Sequence, residues 1–599
     1  MPVVGIPIHR LNDLLGRPVP ADELVRALQR MGSDIEGFGT VRRFKCSRCG
    51  FVLERTATEA DPGYCEDCQN DFSSPGSVLP LPPVEVVRLD LLAVRPDMFD
   101  VGGLARALRA YLDISPGLAA YDLASPCVRV DVHPGLDGPG CFRPAIGCAV
   151  VRDVQLDDDL LKELMRLQEN LHWALGRDRR RASVGVYDLA TVTPPITYRT
   201  VDPDGPPFRA LGWPNELTPR QILQEHPKGR AFGHALADFQ RYPLLIDACG
   251  QVLSMPPIIN SEESKVTAAS RDLFIDVTGP RVEAVSRCLN VMVTSILEFS
   301  PGSRGEHVEI IGPDGKRCLT PDLTPQEMIL DMAATRRVLG INLSDDDAPG
   351  LLARMGHQTE WAGPSSLRVL IPSYRPDFLH QRDLMEEVAI AFGYDKITPA
   401  LVPTMTVGQP HPDEERAAAY RRALAGLGHV EVMTLLLGSP ETHYGPFGLP
   451  VPEECMLIAN PISTEQTLGR TWILPGLIDT VARNTSREMP HRLFEVGTVL
   501  RVDPEAETGV AQHTRAGVVL AGPGIGFADI RSVMDALIRE TGQQLMVRPL
   551  SKPYFIQGRA AEILDQNGTV MGEMGEIHPS VLEHFKVIQP VAAAEIAVR

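Results

Sequence analysis

The chain has 599 residues, 44% hydrophobic and 23% charged, with a formal net charge of −19. That size predicts three to five domains at roughly 100–200 residues each, of ordinary soluble composition. The acidic balance argues against a protein that coats nucleic acid, which needs Lys and Arg against phosphate, and leaves room for local basic patches such as GRDRRR (176–181) and HPKGR (226–230).

No run approaches the roughly 18 apolar residues of a membrane span. The N-terminal MPVVGIPIHRLNDLLGRP lacks the basic-then-apolar pattern of a secretory signal. A cytoplasmic protein without membrane contact is expected. The 11 cysteines are scattered apart from one cluster of four, and their odd number points to reduced thiols.

In chain order, LNDLLGRPVPADELVRALQRMG has helical spacing, with Asp22 as a candidate cap. FKCSRCGFVLERTATEADPGYCEDC (44–68) follows, then the Pro/Ser/Gly-rich SSPGSVLPLPP (73–83), which reads as a connector. The segment from about 41 to 83 is therefore expected to be an insertion. From 84 to about 310, CFRPAIGCAVV, ASVGVYDL, YPLLIDACGQVLS and DLFIDVTG read as strands, and LDDDLLKELMRLQENLHWALG and VEAVSRCLNVMVTSILEF as helices. A smaller unit (311–398) opens with a helix predicted over TPQEMILDMAATRRVLG, with Thr324 and Pro325 as its first residues. It closes with a helix in LHQRDLMEEVAIAFGYDKI, ended at Gly393. Residues 399–599 alternate helices with strands such as RLFEVGTVLRV.

Three sites stand out. Cys46, Cys49, Cys65 and Cys68 form two Cys-x-x-Cys pairs 15 residues apart, the spacing of a closed, structural four-thiolate Zn2+ site, with two disulfides or idle thiols as the rival reading. Arg42, Arg43, Lys45 and Arg48 give that segment a basic edge, against Glu59, Asp61, Glu66 and Asp67. It serves either as a metal staple alone or also as an RNA or subunit contact. Asp383, Glu386 and Glu387 recur at i, i+3 and i+4 on a helix that Asp377 precedes, and four such carboxylates suit a hard cation such as Mg2+. The rival reading is an acidic first turn that complements the helix dipole. MPPIINSEESKVTAASRDLFIDVTG (255–279) sets polar residues at strand ends, as pocket lining or as turn residues. GPGIG (522–526) misses the dinucleotide-loop spacing.

Several stretches together resemble the β subunit of archaeal and eukaryotic phenylalanyl-tRNA synthetases: LQENLHWALGRDRRRASVGVYDL, EHPKGRAFGHAL, YPLLIDACGQVLSMPPIINSEESKVT, SYRPDFLHQRDLMEEVAIAFGYDKI, NPISTEQTLGRTWILPGL, RLFEVG and GEIHPSVLEHF. The resemblance implies a multidomain α/β and α+β chain. Its expected parts are an N-terminal domain (1–83) with the zinc-ribbon-like insertion and a B3/B4-type tRNA editing domain (84–310). A B5-type small helical domain of winged-helix kind (311–398) and a degenerate, non-catalytic class II synthetase domain with an antiparallel sheet (399–599) follow. Implied partners are an α subunit in an α2β2 heterotetramer and tRNA(Phe), with ATP used by the holoenzyme. The family pattern Asp-x5-Asp-x2-Glu-Glu falls on Asp377, Asp383, Glu386 and Glu387 and implies Mg2+ near the α interface. Editing of Tyr-tRNA(Phe) is implied for this chain, with Ser254, Asp276 and Thr278 in the pocket, Asp276 accepting the tyrosine hydroxyl, and Asn260, Ser261 and His234 near the ester. The alternatives are a stand-alone deacylase of mischarged tRNA and a zinc-ribbon nucleic-acid-binding protein. The four-cysteine insertion is outside the family pattern.

Overall fold

Val3–Pro7, Val78–Asp90, Asp34–Cys46 and Val52–Arg55 lie side by side in an antiparallel sheet. The computed structural model describes residues 3–48, 50–66, 68–90 and 93–598 of a chain that divides into two units, Met1–Ala400 and Leu401–Arg599. The supposed connector 73–83 is corrected here, because Val78 begins a 13-residue strand. Its prolines are tolerated for a geometric reason. Val3–Pro7 pairs only with 86–90, so Pro80 sits where the strand has one neighbour and its missing N–H costs no ladder bond. Pro82 and Pro83 fall at the register shift between Arg43 and Val41. Asp22 is not the cap: the helix Ala21–Arg30 starts after Pro20, and Asp22 pairs with Arg26 at 2.8 Å in its first turn.

The second sheet has ten strands. From one edge it runs Ile259–Asn260, Val252–Met255, Tyr242–Ile246, Ile196–Val201, Leu123–Val132, Arg304–Ile311, Ala145–Arg152, Leu273–Gly279 and Ser183–Asp188, with Arg317–Thr320 beside Arg304–Ile311. Leu273–Gly279 is buried throughout and obeys the two-residue period of a strand. Leu273, Ile275 and Val277 pack in the cluster that includes the helix Val282–Phe299, while Phe274 joins a second cluster on the other face with Tyr187, Tyr198 and Leu253. The sheet curls until its edges meet: Asn260 Nδ2 donates to the Val186 carbonyl (3.3 Å) and the Asp188 N–H to the Ser264 carbonyl (3.0 Å). The curl encloses the second cluster and brings residues distant in the sheet together.

The smaller unit is not only helical. Gln326–Asp331, Ser366–Ile371 and Gln358–Gly363 form a three-stranded antiparallel sheet. The helix expected from Thr324 starts instead at Met332, because Asp331 Oδ1 accepts from the Ala334 N–H (3.0 Å) and fixes the cap there. The preceding residues pair in register with Ser366–Ile371. In the second unit a seven-stranded sheet, antiparallel except for the edge pair Val430–Glu431 and His491–Val502, carries apolar clusters on both faces. One cluster takes the helices Pro412–Gly426 and Phe527–Glu540, the other Leu474–Arg483 and Pro579–Phe585. Among the described residues no helix is long and apolar enough to cross a membrane.

Candidate functional site

Inside the curled sheet the strands present a polar network among apolar neighbours. Tyr187 Oη donates to Asp276 Oδ1 at 2.5 Å and lies 2.8 Å from Ser254 Oγ. Arg143 Nε donates to Thr278 Oγ1 (3.0 Å), and its Nη2 to the Thr278 carbonyl (2.7 Å) and Ser183 Oγ (2.8 Å). All six side chains are buried. Gly185, opposite Asp276 in register, makes room for this arrangement: a Cβ there would lie 2.2 Å from Tyr187 Oη and 2.3 Å from Asp276 Oδ1.

Burial pushes the Asp276 carboxyl up to about 7, against the Tyr187 hydrogen bond and the Arg143 charge, which lower it. The titratable groups around it are Arg143, Tyr187, Cys148 and Tyr198. An acid whose folded pKa is raised binds more protons folded than unfolded. Its contribution to stability is complete below the unfolded value of 3.8 and is lost as pH rises to about 7. Asp276→Asn is expected to remove this fall, on the order of 4 kcal/mol between pH 4 and 7. The check is the pH slope of urea unfolding in wild type and variant; equal slopes refute it.

The structure thus brings Ser254 and Asp276 together on Tyr187, and sets Thr278 beside them on Arg143, whose charge acts on Asp276. Asn260 stands opposite Ser254 in register and spends its amide on Val186. Ser261 bonds Glu263. His234 is apart from the network, on an exposed turn, with Nδ1 3.1 Å from the Ala231 carbonyl.

Three cysteines converge elsewhere: the sulfurs of Cys46, Cys65 and Cys68 lie within 4.8 Å of one another. Two loops of the same design present them. In each, the first cysteine accepts from an N–H four residues on (Gly50 to Cys46, 2.9 Å; Gln69 to Cys65, 3.0 Å) and donates to a carbonyl five residues on (Phe51 and Asn70, both 2.8 Å). Gly50 and Gln69 both take positive φ, 78° and 57°. Cys49 lies outside the described residues; in sequence it holds the place in the first loop that Cys68 holds in the second. The donor set fits tetrahedral Zn2+. Three of the four basic-edge side chains are engaged in ion pairs, Arg43 with Asp159, Lys45 with Asp158 and Arg42 with Asp61, while Arg48 is exposed.

The four carboxylates predicted for Mg2+ do not converge. Asp377 and Glu387 share the buried Arg375, at 2.7 and 3.0 Å from its Nη2, and His357 Nε2 lies 3.2 Å from Glu387 Oε2. Asp383 Oδ2 caps its helix through the Leu379 and His380 N–H groups (2.7 and 2.8 Å). Glu386 is exposed while Glu387 is buried, because consecutive helical residues diverge by about 100°. In this chain alone a guanidinium thus holds two of the four carboxylates.

A family model described as the tRNA synthetase B5 domain matches residues 328–394, and one described as the phenylalanyl tRNA synthetase beta chain CLM domain matches 397–598. The Phenylalanine--tRNA ligase beta subunit of Methanothrix thermoacetophila is 37% identical over 86% of this chain and 93% of its own length. The chain belongs to the phenylalanine--tRNA ligase beta subunit family. The Pyrococcus horikoshii beta subunit is 38% identical over 84% of this chain and 89% of its own. A crystal structure of an N-terminal fragment of the Pyrococcus horikoshii phenylalanyl-tRNA synthetase beta subunit matches at a TM-score of 0.55 and 32% identity, covering 65% of this chain and 99% of the fragment. In this beta-subunit chain the B5 match falls on the three-stranded sheet with its helices, and the CLM match on the second unit. Sequence reasoning missed Tyr187, Arg143 and Ser183. The alternation Ser183-Gly185-Tyr187, with a glycine between two polar residues on one face, is the signal that marks Ser183 and Tyr187; no local pattern marks Arg143.

Proposed function

We propose that this beta subunit supports ATP-dependent attachment of phenylalanine to tRNA(Phe) by an α subunit, in an α2β2 assembly, and itself hydrolyses Tyr-tRNA(Phe). The ligase part follows from the identity to curated beta subunits over more than four fifths of the chain. The second unit then corresponds to the degenerate class II domain, and residues 84–310 to the editing domain.

The observation that carries the editing part is the Asp276–Ser254 pair. It already holds a phenol, that of Tyr187, in a site otherwise walled by apolar side chains. A pocket shaped for phenylalanine rejects tyrosine only about a hundredfold, because an added hydroxyl is weakly penalised. A second site that hydrogen-bonds the hydroxyl reverses the preference. Phenylalanine there leaves the polar partners unmet, at about 1–3 kcal/mol each. The tyrosyl group takes the place of the Tyr187 side chain on Asp276, and Thr278, held by Arg143, borders it. Asp276→Ala is expected to raise Tyr-tRNA(Phe) at least tenfold in steady state while Phe charging stays within twofold. Normal clearance of preformed Tyr-tRNA by the variant would discard the assignment.

Cys46, Cys49, Cys65 and Cys68 hold Zn2+ in this proposal, as a structural ion that cross-links 41–83. Asp377, Asp383, Glu386 and Glu387 are proposed to hold Mg2+ near the α interface in the assembled enzyme, once Asp377 and Glu387 release Arg375.

A further inference from the structure

The turn GRDRRR (176–181) has no part in the chemistry above, yet its backbone is strained. Arg177, Asp178 and Arg179 have φ of 48°, 57° and 63° in succession. A left-handed conformation costs an L-residue about 1–2 kcal/mol, and such strain persists only where the surroundings impose it. Here they do. Arg179 is buried and donates to Glu169 Oε1 (2.7 Å) and to the carbonyls of Pro257 (3.2 Å) and Ile258 (2.9 Å), with its guanidinium 4.0 Å over the Phe232 ring. Gly176 seats against the His172 and Ala182 carbonyls, where a Cβ would lie 2.4 Å from each.

The same pins tie the turn to the Asp276 network. Arg143 Nη1 reaches the Arg179 carbonyl (3.4 Å) while its other nitrogens hold Thr278. The Arg181 carbonyl packs on Gly279, the residue after Thr278, 2.2 Å from where a Cβ would stand. The turn therefore borders the end of the strand that carries Asp276.

What the strain presents is charge. Arg177, Arg180 and Arg181 are exposed, and among the described residues no ion pair engages them. The second basic stretch of the sequence comes to the same place, since Phe232 lies under Arg179 and Lys228 Nζ is 5.7 Å from that ring. Glu169 is already shared by Arg179 and Lys228, Asp178 stands 3.8 Å from His234, and Glu225 is exposed on the neighbouring helix. Cations remain in excess, in a chain of net charge −19. Guanidiniums carried on a pinned turn can pair with phosphodiester oxygens bidentately as well as by charge.

We propose that Arg177, Arg180 and Arg181 clamp the sugar-phosphate backbone of a single-stranded RNA 3′ end and so deliver its terminal ester to the Asp276 site. The delivery part rests on the proposed hydrolysis; the RNA contact does not. The test uses the full chain assembled with its α subunit, wild type and with Arg177→Ala, Arg180→Ala and Arg181→Ala combined. Binding of a fluorescein-labelled single-stranded RNA octamer ending in CCA is read by anisotropy across a KCl series. The octamer is expected to bind about tenfold more weakly to the variant, with the salt slope reduced by about two, since each single-strand phosphate contact contributes about 0.7. The KM for Tyr-tRNA hydrolysis rises in parallel, while kcat and Phe charging stay within twofold. Replacing the same three arginines by lysine restores the salt slope but only part of the affinity, since the charge returns without the fork. If the alanine variant misfolds, Arg180→Glu alone carries the test. Unchanged affinity and slope overturn the inference whatever the hydrolysis does. Weakened octamer binding with no hydrolysis even in wild type supports the clamp and overturns the editing function.

Discussion

Cys65→Ser is expected to abolish the proposed zinc binding and the order of residues 44–72, while the curled sheet and the second unit stay folded. The apolar content of that segment is too small to hold it. Among the described residues its cluster has only Cys46, Leu53 and Cys65 at the centre, with Phe44, Cys68 and Phe72 against them. Segments of this size fold when a metal supplies the missing free energy, about 10–16 kcal/mol for a structural zinc site. Removing one of two buried thiolates therefore takes away most of what orders the loops. Metal analysis is expected to give one zinc per wild-type chain and less than a tenth of that in the variant. Hydrogen exchange is expected to speed up over 44–72 alone. Metal-free wild type with protected 44–72 amides would show that the thiols are idle.

Arg375→Met is expected to destabilise the smaller unit by about 3–5 kcal/mol, because a buried carboxylate left without its partner is costly. Arg375 is 5% exposed and Glu387 5%, so water does not rescue the pair. Its Nε and Nη2 donate to both oxygens of Asp377 (2.9 and 2.7 Å), its Nη1 and Nη2 to both of Glu387 (3.3 and 3.0 Å), and the guanidinium lies 4.6 Å over Phe378. Adding Glu387→Leu to the variant is expected to recover more than half of the loss, since an apolar pair often serves as well as a buried ion pair. Hydrogen exchange over 326–392 reads both values. A single-variant cost below about 1 kcal/mol would mean that the carboxylates find another cation.

The two cysteine turns were legible because their pattern is local: the Cys-x-x-Cys spacings name them, and the sulfurs of Cys46, Cys65 and Cys68 converge. The helix Val282–Phe299 was legible in its 3.6-residue pattern and the strand Leu273–Gly279 in its apolar run. Other features depend on neighbours that no local pattern names. Pro80, Pro82 and Pro83 read as a connector until the open edge beside them is known. Thr324-Pro325 is a sound helix-start signal, overridden by pairing with Ser366–Ile371 and by the Asp331 cap. The acidic residues at 383, 386 and 387 share a face in projection, but Arg375, eight residues before the first, decides where two of the four expected ligands point. Tyr187 was the hardest to foresee. It meets Ser254 only because a sheet of ten strands curls on itself.

That curl has a further effect. An open sheet leaves two rows of backbone groups ready to pair with another chain. Here the outer carbonyl of Val186 is taken by the Asn260 side chain, and the Asp188 N–H by Ser264. Leu211 N–H takes the Asn260 carbonyl in turn, at 2.9 Å. Each edge strand blunts the other. The contacts that close the curl, and so bring Tyr187 to Ser254, thus also withhold these backbone groups from pairing with another chain.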